Sequence, residues 1–424
     1  MKRVVCLALS FLFVLLICPV CRGAELKVEN TEYAFIYNPV FDEVLYESKA
    51  DKVIYPASTV KMMTGIIAIE YYAGRYDTEI TFNAEMLSLT GGTKISYKEG
   101  EVLTVEELLY GLLVGNGNDA AYALALSVCP TVDEFVTLMN EKAKSLGAEH
   151  TVYANPTGVD DNKAQTTVRD VAKIAAYASS MKEFIKYSSC ERYDMEPTNM
   201  VGIRTIANKN WLVSRSYVEK YYLSYATGLN AGSTVKGGEC CVVSGTKDGV
   251  RIIAVVMYAS TSSSPTVNYA FEDAKRMMQW AYSAYGYERI LSGSEIVCEI
   301  PVDLSASYDY VALLPADDVY AFLPSEVDVT ADIERRYTLD EERLTAPVAE
   351  GTRVGTMTLY YDGEAVGEVP LVTKNALSRS TTLTVWTWVK DTLSGVGAIV
   401  LIAAIIILVA CVIFANAYMR GRKR

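Results

Sequence analysis

The chain has 424 residues, a formal net charge of −12, nine cysteines and one histidine, His150. That acidity argues against nucleic acid as a partner, and one histidine excludes a metal site built on histidines. The length suggests about two folded domains.

In chain order, Met1-Lys2-Arg3, the apolar run Val4 to Val20 and Cys21-Arg22-Gly23-Ala24 form the three parts of a secretory signal, residues 1–24. No small residues precede Cys18 or Cys21, so lipidation is not expected. The runs at Tyr33 to Tyr37 and Val44 to Tyr46, turned at Asn38-Pro39, predict a β-hairpin. Tyr55-Pro56-Ala57-Ser58 then opens a buried helix carrying Met62, Met63, Ile66, Ile67 and Ile69 to about Tyr72, with a stop at Gly74. Residues 102–128 read as helical, capped at Thr104 and broken at Gly115-Asn116-Gly117-Asn118-Asp119. Further helices are expected over 132–146, from Thr167 to Ala178, and over 270–285. Glu239 to Ser244 and Arg251 to Tyr258, joined at Lys247-Asp248-Gly249, should pair as a hairpin. The fold class is thus α+β, with helices packed on an antiparallel sheet over residues 25–288.

Composition shifts after Gly293. Short alternating runs (Glu295 to Ile300, Val311 to Leu314, Glu326 to Thr330, Arg353 to Tyr361, Ala365 to Pro370) predict a small all-β domain over 294–372. Residues 373–394 are Ser/Thr-rich and read as a stalk. Residues 395–415 carry no charge and suit one transmembrane helix, with Trp386 and Trp388 at the outer interface. Arg420, Arg422, Lys423 and Arg424 place the tail, 416–424, in the cytoplasm. The expected arrangement is a single-pass membrane protein with its folded domains outside. Five cysteines lie between the two apolar ends, compatible with one disulfide but not with a disulfide framework.

Ser58 and Lys61, three residues apart, share one helix face, where the amine can activate the hydroxyl at the positive helix end. The same spacing recurs at Ser179/Lys182, Ser233/Lys236 and Ser244/Lys247, but only Ser58 opens a buried helix. His150, in a turn leading to a strand, reads as a surface residue, so the base for a serine here is lysine.

The ordered set Pro56-Ala57-Ser58-x-x-Lys61, Asn116-Gly117-Asn118 and Asn230-Ala231-Gly232-Ser233-Thr234 resembles the serine D-alanyl-D-alanine carboxypeptidases, the low-molecular-mass penicillin-binding proteins (peptidase family S11). The likeness covers residues 30–285, including the Asn155-Pro156-x-Gly158-x-Asp160-Asp161 turn and Asn208-x-Asn210. The later β domain, with Ala346-Pro347 and Gly351-x-x-Val354-Gly355, and the anchor fit as well. It implies a β-lactamase/transpeptidase-like domain without cofactor or metal, acting on peptidoglycan stem peptides ending in D-Ala-D-Ala and binding β-lactams. Ser58 would be the nucleophile and Lys61 its base. The backbone N–H groups of Ser58 and Ser233 would form the oxyanion hole. Asn118 would orient Lys61 and the substrate, and Asn230, Gly232, Ser233 and Thr234 would line the substrate strand.

Two motifs depart from the family pattern. Asn116 stands where the family has a proton-relaying serine, and Asn230-Ala231 stands where it has Lys-Thr. Loss of a cation should let the pKa of Lys61 rise toward its ordinary ~10.4. Loss of a charge-assisted bond to a carboxylate costs about 1.5–3 kcal/mol. A missing relay costs on the order of 10²–10⁴ in rate. Two readings follow: a membrane-anchored carboxypeptidase working through a Ser58 acyl-enzyme, or a catalytically impaired relative that binds stem peptides or wall partners. A β-lactamase ranks third, because no water-activating base is evident.

Overall fold

The computed structural model describes residues 26–89, 91–215, 218–393 and 396–421; the expected signal segment and the residues Arg422 to Arg424 lie outside them. Chain contacts divide the molecule near Gly286 into two units.

The first unit is built on a five-stranded antiparallel sheet ordered β2-β1-β9-β8-β7. Its strands are β1 (Tyr33–Asn38), β2 (Glu43–Ser48), β7 (Ala226–Thr234), β8 (Gly238–Lys247) and β9 (Val250–Ala259). Two-stranded ribbons, β3 (Glu79–Thr81) with β4 (Val102–Thr104) and β5 (Arg192–Met195) with β6 (Arg204–Ala207), flank the helices. The helices are α1 (Val60–Tyr71), α2 (Ala84–Ser88), α3 (Val105–Leu113), α4 (Asn118–Val128), α5 (Val132–Ser145), α6 (Val168–Ser180), α7 (Lys182–Ser188) and α8 (Tyr269–Ala284). α6 and α8 pack on the sheet, and α1 is buried on nearly every side, as its unbroken apolar run requires. Gly65 lets α1 approach Leu113 and Phe184 closely; a Cβ there would lie 3.2 Å from each.

Two sequence expectations change here. Residues 102–104, inside the stretch read as helical, form β4, while Thr104 caps the helix as expected, in a capping box with Glu107. The Asn230 segment, expected before a hairpin, is itself a strand, β7, paired with β8 from Ala226 to Thr234. No disulfide forms among the described residues: Cys129, Cys190, Cys240, Cys241 and Cys298 are free thiols.

The second unit contains β10 (Tyr285–Leu291), β11 (Cys298–Asp303), β12 (Tyr310–Pro315), β13 (Val319–Pro324), β14 (Glu334–Leu339), β15 (Leu344–Thr345), β16 (Arg353–Tyr361) and β17 (Glu364–Thr373). Six of them form a sheet ordered β14-β16-β17-β12-β11-β15. The strand expected over 326–330 is a turn: the Asp328 carboxylate accepts from Thr330 N–H at 2.8 Å and from Ala331 N–H, while Asp332 accepts from Asp328 N–H. The Ser/Thr-rich segment holds a helix, α9 (Thr381–Leu393), in which Thr384 and Thr392 hydroxyls donate to carbonyls four residues back. α10 (Val396–Gly421) follows, and its stretch Gly397–Ala415 is long and apolar enough to cross a membrane.

Candidate active site

Chain geometry presents Ser58 at a sharp corner. Pro56 leads into a single 3₁₀ turn, Ala57–Thr59, which runs on into α1. Ala57 has φ of 47°, a left-handed conformation costly for a residue with a Cβ. Gly158, at φ of 80°, is packed so closely that a Cβ on it would lie 1.8 Å from Ala57 O. Ser58 makes no capping bond; it sits inside the first turn, 5 % exposed. Its Oγ makes no hydrogen bond among the described residues.

Lys61 lies one turn on, 2 % exposed, and its Nζ donates to Thr157 O at 2.7 Å. Burial pushes its amine down to about 7 from the ordinary 10.5, against the opposing pull of the Asp119 carboxylate. Desolvation thus brings the amine into the range a base needs. Lys182, Lys236 and Lys247, in the other three Ser-x-x-Lys pairs, are exposed. Lys236 is turned to the Asn162 side chain and the Tyr55 ring. His150 is a surface residue, its side chain 60 % exposed.

The second motif joins α3 to α4. Asn116 has φ of 56°, a left-handed position that asparagine tolerates better than most residues. Asn118 opens α4, but its Nδ2 donates to Gly91 O rather than reaching Lys61, and its Oδ1 is buried without a partner. Asp119 was not singled out from sequence. It is 1 % exposed and accepts from the N–H groups of Ile95 (3.0 Å), Ser96 (2.8 Å), Tyr97 (3.4 Å) and Ala120 (3.0 Å). It thereby holds the 93–97 loop on the helix start; an acid at the first turn of a helix was the available signal.

β7, an edge strand, runs past Ser58. A Cβ on Gly232 would lie 2.6 Å from Ser58 Oγ and 2.7 Å from Asn116 Nδ2, so Ser58, Asn116 and Gly232 meet at one point. Asn230 is 4 % exposed, Ser233 is exposed, and Thr234 Oγ1 accepts from Gly237 N–H at 2.9 Å. The glycine is needed for that approach. Gly232→Ala should slow acylation of Ser58 by at least about 10²-fold, because small misplacements of reacting atoms carry that penalty. Melting should fall as well, since a third contact, at 2.8 Å, is to Ser58 Cβ, which moves only with the backbone. Adduct formation with a fluorescent penicillin against time, beside a thermal melt, checks both.

The sequence model described as D-alanyl-D-alanine carboxypeptidase matches residues 29–261, more than half of the chain, and that of the penicillin-binding protein 5 C-terminal domain matches 286–379. The chain is 27 % identical over 361 residues to D-alanyl-D-alanine carboxypeptidase DacF of Bacillus subtilis, covering 85 % of this chain and 88 % of that one. It is 28 % identical over 358 residues to DacA of Escherichia coli, covering 82 % and 83 %. Its fold is similar to the crystal structure of penicillin-binding protein 5 from Haemophilus influenzae, with a TM-score of 0.60 at 23 % identity, over 84 % of this chain and all of the other. A buried lysine beside a serine, an edge strand at that serine and two successive family matches agree: the chain belongs to the serine-type D-alanyl-D-alanine carboxypeptidases, hydrolases of the penicillin-binding protein class.

Proposed function

We propose that this protein removes the terminal D-alanine from peptidoglycan stem peptides through an acyl-enzyme on Ser58, and that α10 anchors it in the membrane. The observation that carries the reading is Lys61: an amine held near 7 by burial, one helical turn from an unbonded serine hydroxyl.

In this scheme Ser58 Oγ attacks the carbonyl carbon of the penultimate D-alanine while Lys61 Nζ takes its proton. The developing oxyanion is met by the backbone N–H groups of Ser58 and Ser233. The C–N bond then breaks, the proton held on Lys61 passes to the leaving nitrogen, and D-alanine departs. Water attacks the ester with Lys61 again as base, restoring Ser58. Asn116 has no hydroxyl to relay the proton, so Lys61 serves both halves of the reaction.

A second reading, an impaired relative that binds stem peptides, is favoured by Asn116 and Asn230, whose buried amide oxygens have no partners. The anchoring proposal rests on the uncharged stretch Gly397–Ala415, and the basic residues after it support a cytoplasmic C-terminus with both folded units outside. Trp386 and Trp388, each 66 % exposed on α9, suit the outer interface.

The detergent-solubilised full chain, incubated with fluorescent penicillin, should gain one adduct by intact mass. Ser58→Ala should gain none. An undiminished adduct in that variant would sink the assignment of the nucleophile, and no adduct in the wild type would favour the impaired reading.

A further inference from the structure

Three consecutive amides of one loop turn onto a single carboxylate. Ile95 N–H donates to Asp119 Oδ1 at 3.0 Å, and the N–H groups of Ser96 and Tyr97 donate to Oδ2 at 2.8 and 3.4 Å. Ser96 is held there at φ of 69°, a left-handed conformation that persists only where the surroundings impose it. Asn118 N–H donates to Thr93 O at 2.8 Å and its Nδ2 to Gly91 O, so the start of α4 grips the loop along its length.

The grip aims one side chain. A Cβ on Gly115 would lie 2.3 Å from Ile95 Cδ1, and one on Gly117 would lie 2.7 Å from Ile95 Cγ1. These two glycines flank Asn116, whose Nδ2 meets Ser58 Oγ over Gly232. Ile206, from β6, also abuts Gly115, its Cγ2 2.9 Å from the same Cβ position.

We propose that Asp119 is a positioning residue of this site: it fixes Ile95 as a wedge against Gly115 and Gly117, and the wedge holds the Asn116 amide beside Ser58. The inference rests on Ser58 being the nucleophile and goes beyond that reading by naming what aligns the second motif.

An acid serving only as a helix cap would bond the free amides of its own helix. Asp119 meets one of these, Ala120 N–H at 3.0 Å, and gives its other bonds to the loop. Those bonds also offset the cost of burying its charge, and a charged acceptor makes them strong. Asn116 needs the support. It is left-handed at φ of 56°, and a glycine on each side leaves the backbone there free to relax. Close contact of Ile95 with both glycines removes that freedom.

The test is a double-mutant cycle, read as the rate of fluorescent-penicillin adduct formation by the full chain in detergent. Ile95→Ala removes the wedge and touches no reacting group. It should slow acylation at least about tenfold, within the penalty that small misplacements of reacting groups carry. Asn116→Ala should slow it by a similar factor. The double variant should be no slower than Asn116→Ala alone, because the wedge then has nothing to hold. The rate midpoint in Ile95→Ala should stay near pH 7, since Lys61 remains buried. Asp119→Asn, which keeps the shape and removes the charge, should slow acylation as Ile95→Ala does. Melting curves identify folded variants; if Asp119→Asn does not fold, Ile95→Ala carries the cycle. A purely structural role would lower melting without coupling to Asn116. Losses that multiply in the double variant overturn the inference while leaving Ser58 in place. So does a folded single variant at either Ile95 or Asp119 that acylates at the wild-type rate, or an Ile95→Ala midpoint that moves. No adduct with the folded wild type overturns the serine-enzyme reading together with this one.

Discussion

Replacing Lys61 by methionine should abolish penicillin trapping, by at least about 10³ in rate, yet make the folded protein harder to melt at neutral and acidic pH. The loss follows from removing the base proposed for the Ser58 proton. The gain follows from burial. Folded Lys61 gives up its proton near pH 7, while the unfolded chain gives it up near 10.5. Between these values the unfolded state holds more protons, so stability rises with pH across that window, and below about pH 7 the fold carries the full cost of a buried ammonium. Methionine does not titrate. Its advantage, about 1–4 kcal/mol for a buried ion replaced by an apolar side chain, should be largest at about pH 6 and fade toward about pH 10. Thr157 O, left without its donor, returns about 1 kcal/mol of that. Melts of both proteins across this range test the sign. The wild-type acylation rate should rise with a midpoint near pH 7; a midpoint near 10 would mean that Lys61 is solvated in solution.

Gly158→Ala should be the most damaging small substitution in the first unit. Its Cβ would fall 1.8 Å from Ala57 O and 2.6 Å from Ala57 C, both backbone atoms that cannot rotate away. The left-handed φ of 80° adds its own strain. A loss of at least about 3 kcal/mol is expected in urea unfolding, near the top of the range for overpacking. Gly74→Ala is the comparison, with φ of 73° and nothing within 4 Å of its Cβ. That change should cost only about 1 kcal/mol. Equal losses would show that backbone conformation, not the clash at Ala57, sets the cost at Gly158. Folded Gly158→Ala protein should also acylate slowly, because the displaced peptide is the one before Ser58.

What could be read from the sequence was local. The Thr104–Glu107 capping box, the Thr167 cap of α6 and the β8–β9 hairpin turn at Asp248-Gly249 each need only neighbouring residues, and each stands where expected. Ser58 and Lys61 were legible because one helix turn carries both. The remainder depended on distant partners. Lys61 owes its lowered pKa to burial, which depends on elements far along the chain and is not legible from the motif alone. Asp119 looks like an ordinary helix-start acid until the 95–97 loop folds onto it. In the second unit β13 and β14 were missed: Pro324 ends one, and Glu334-Arg335-Arg336 opens the other with charges on an exposed face.

The bond between Lys61 Nζ and Thr157 O spans 96 residues of chain. In a polypeptide that emerges from its N-terminus, residues 58–71 are therefore out long before the turn that completes their burial. Until that turn docks, Lys61 is an ordinary solvated ammonium, protonated at neutral pH and unable to accept a proton. Reactivity thus arrives with the last tertiary contacts rather than with the first helix, a latency otherwise supplied by a removable propeptide.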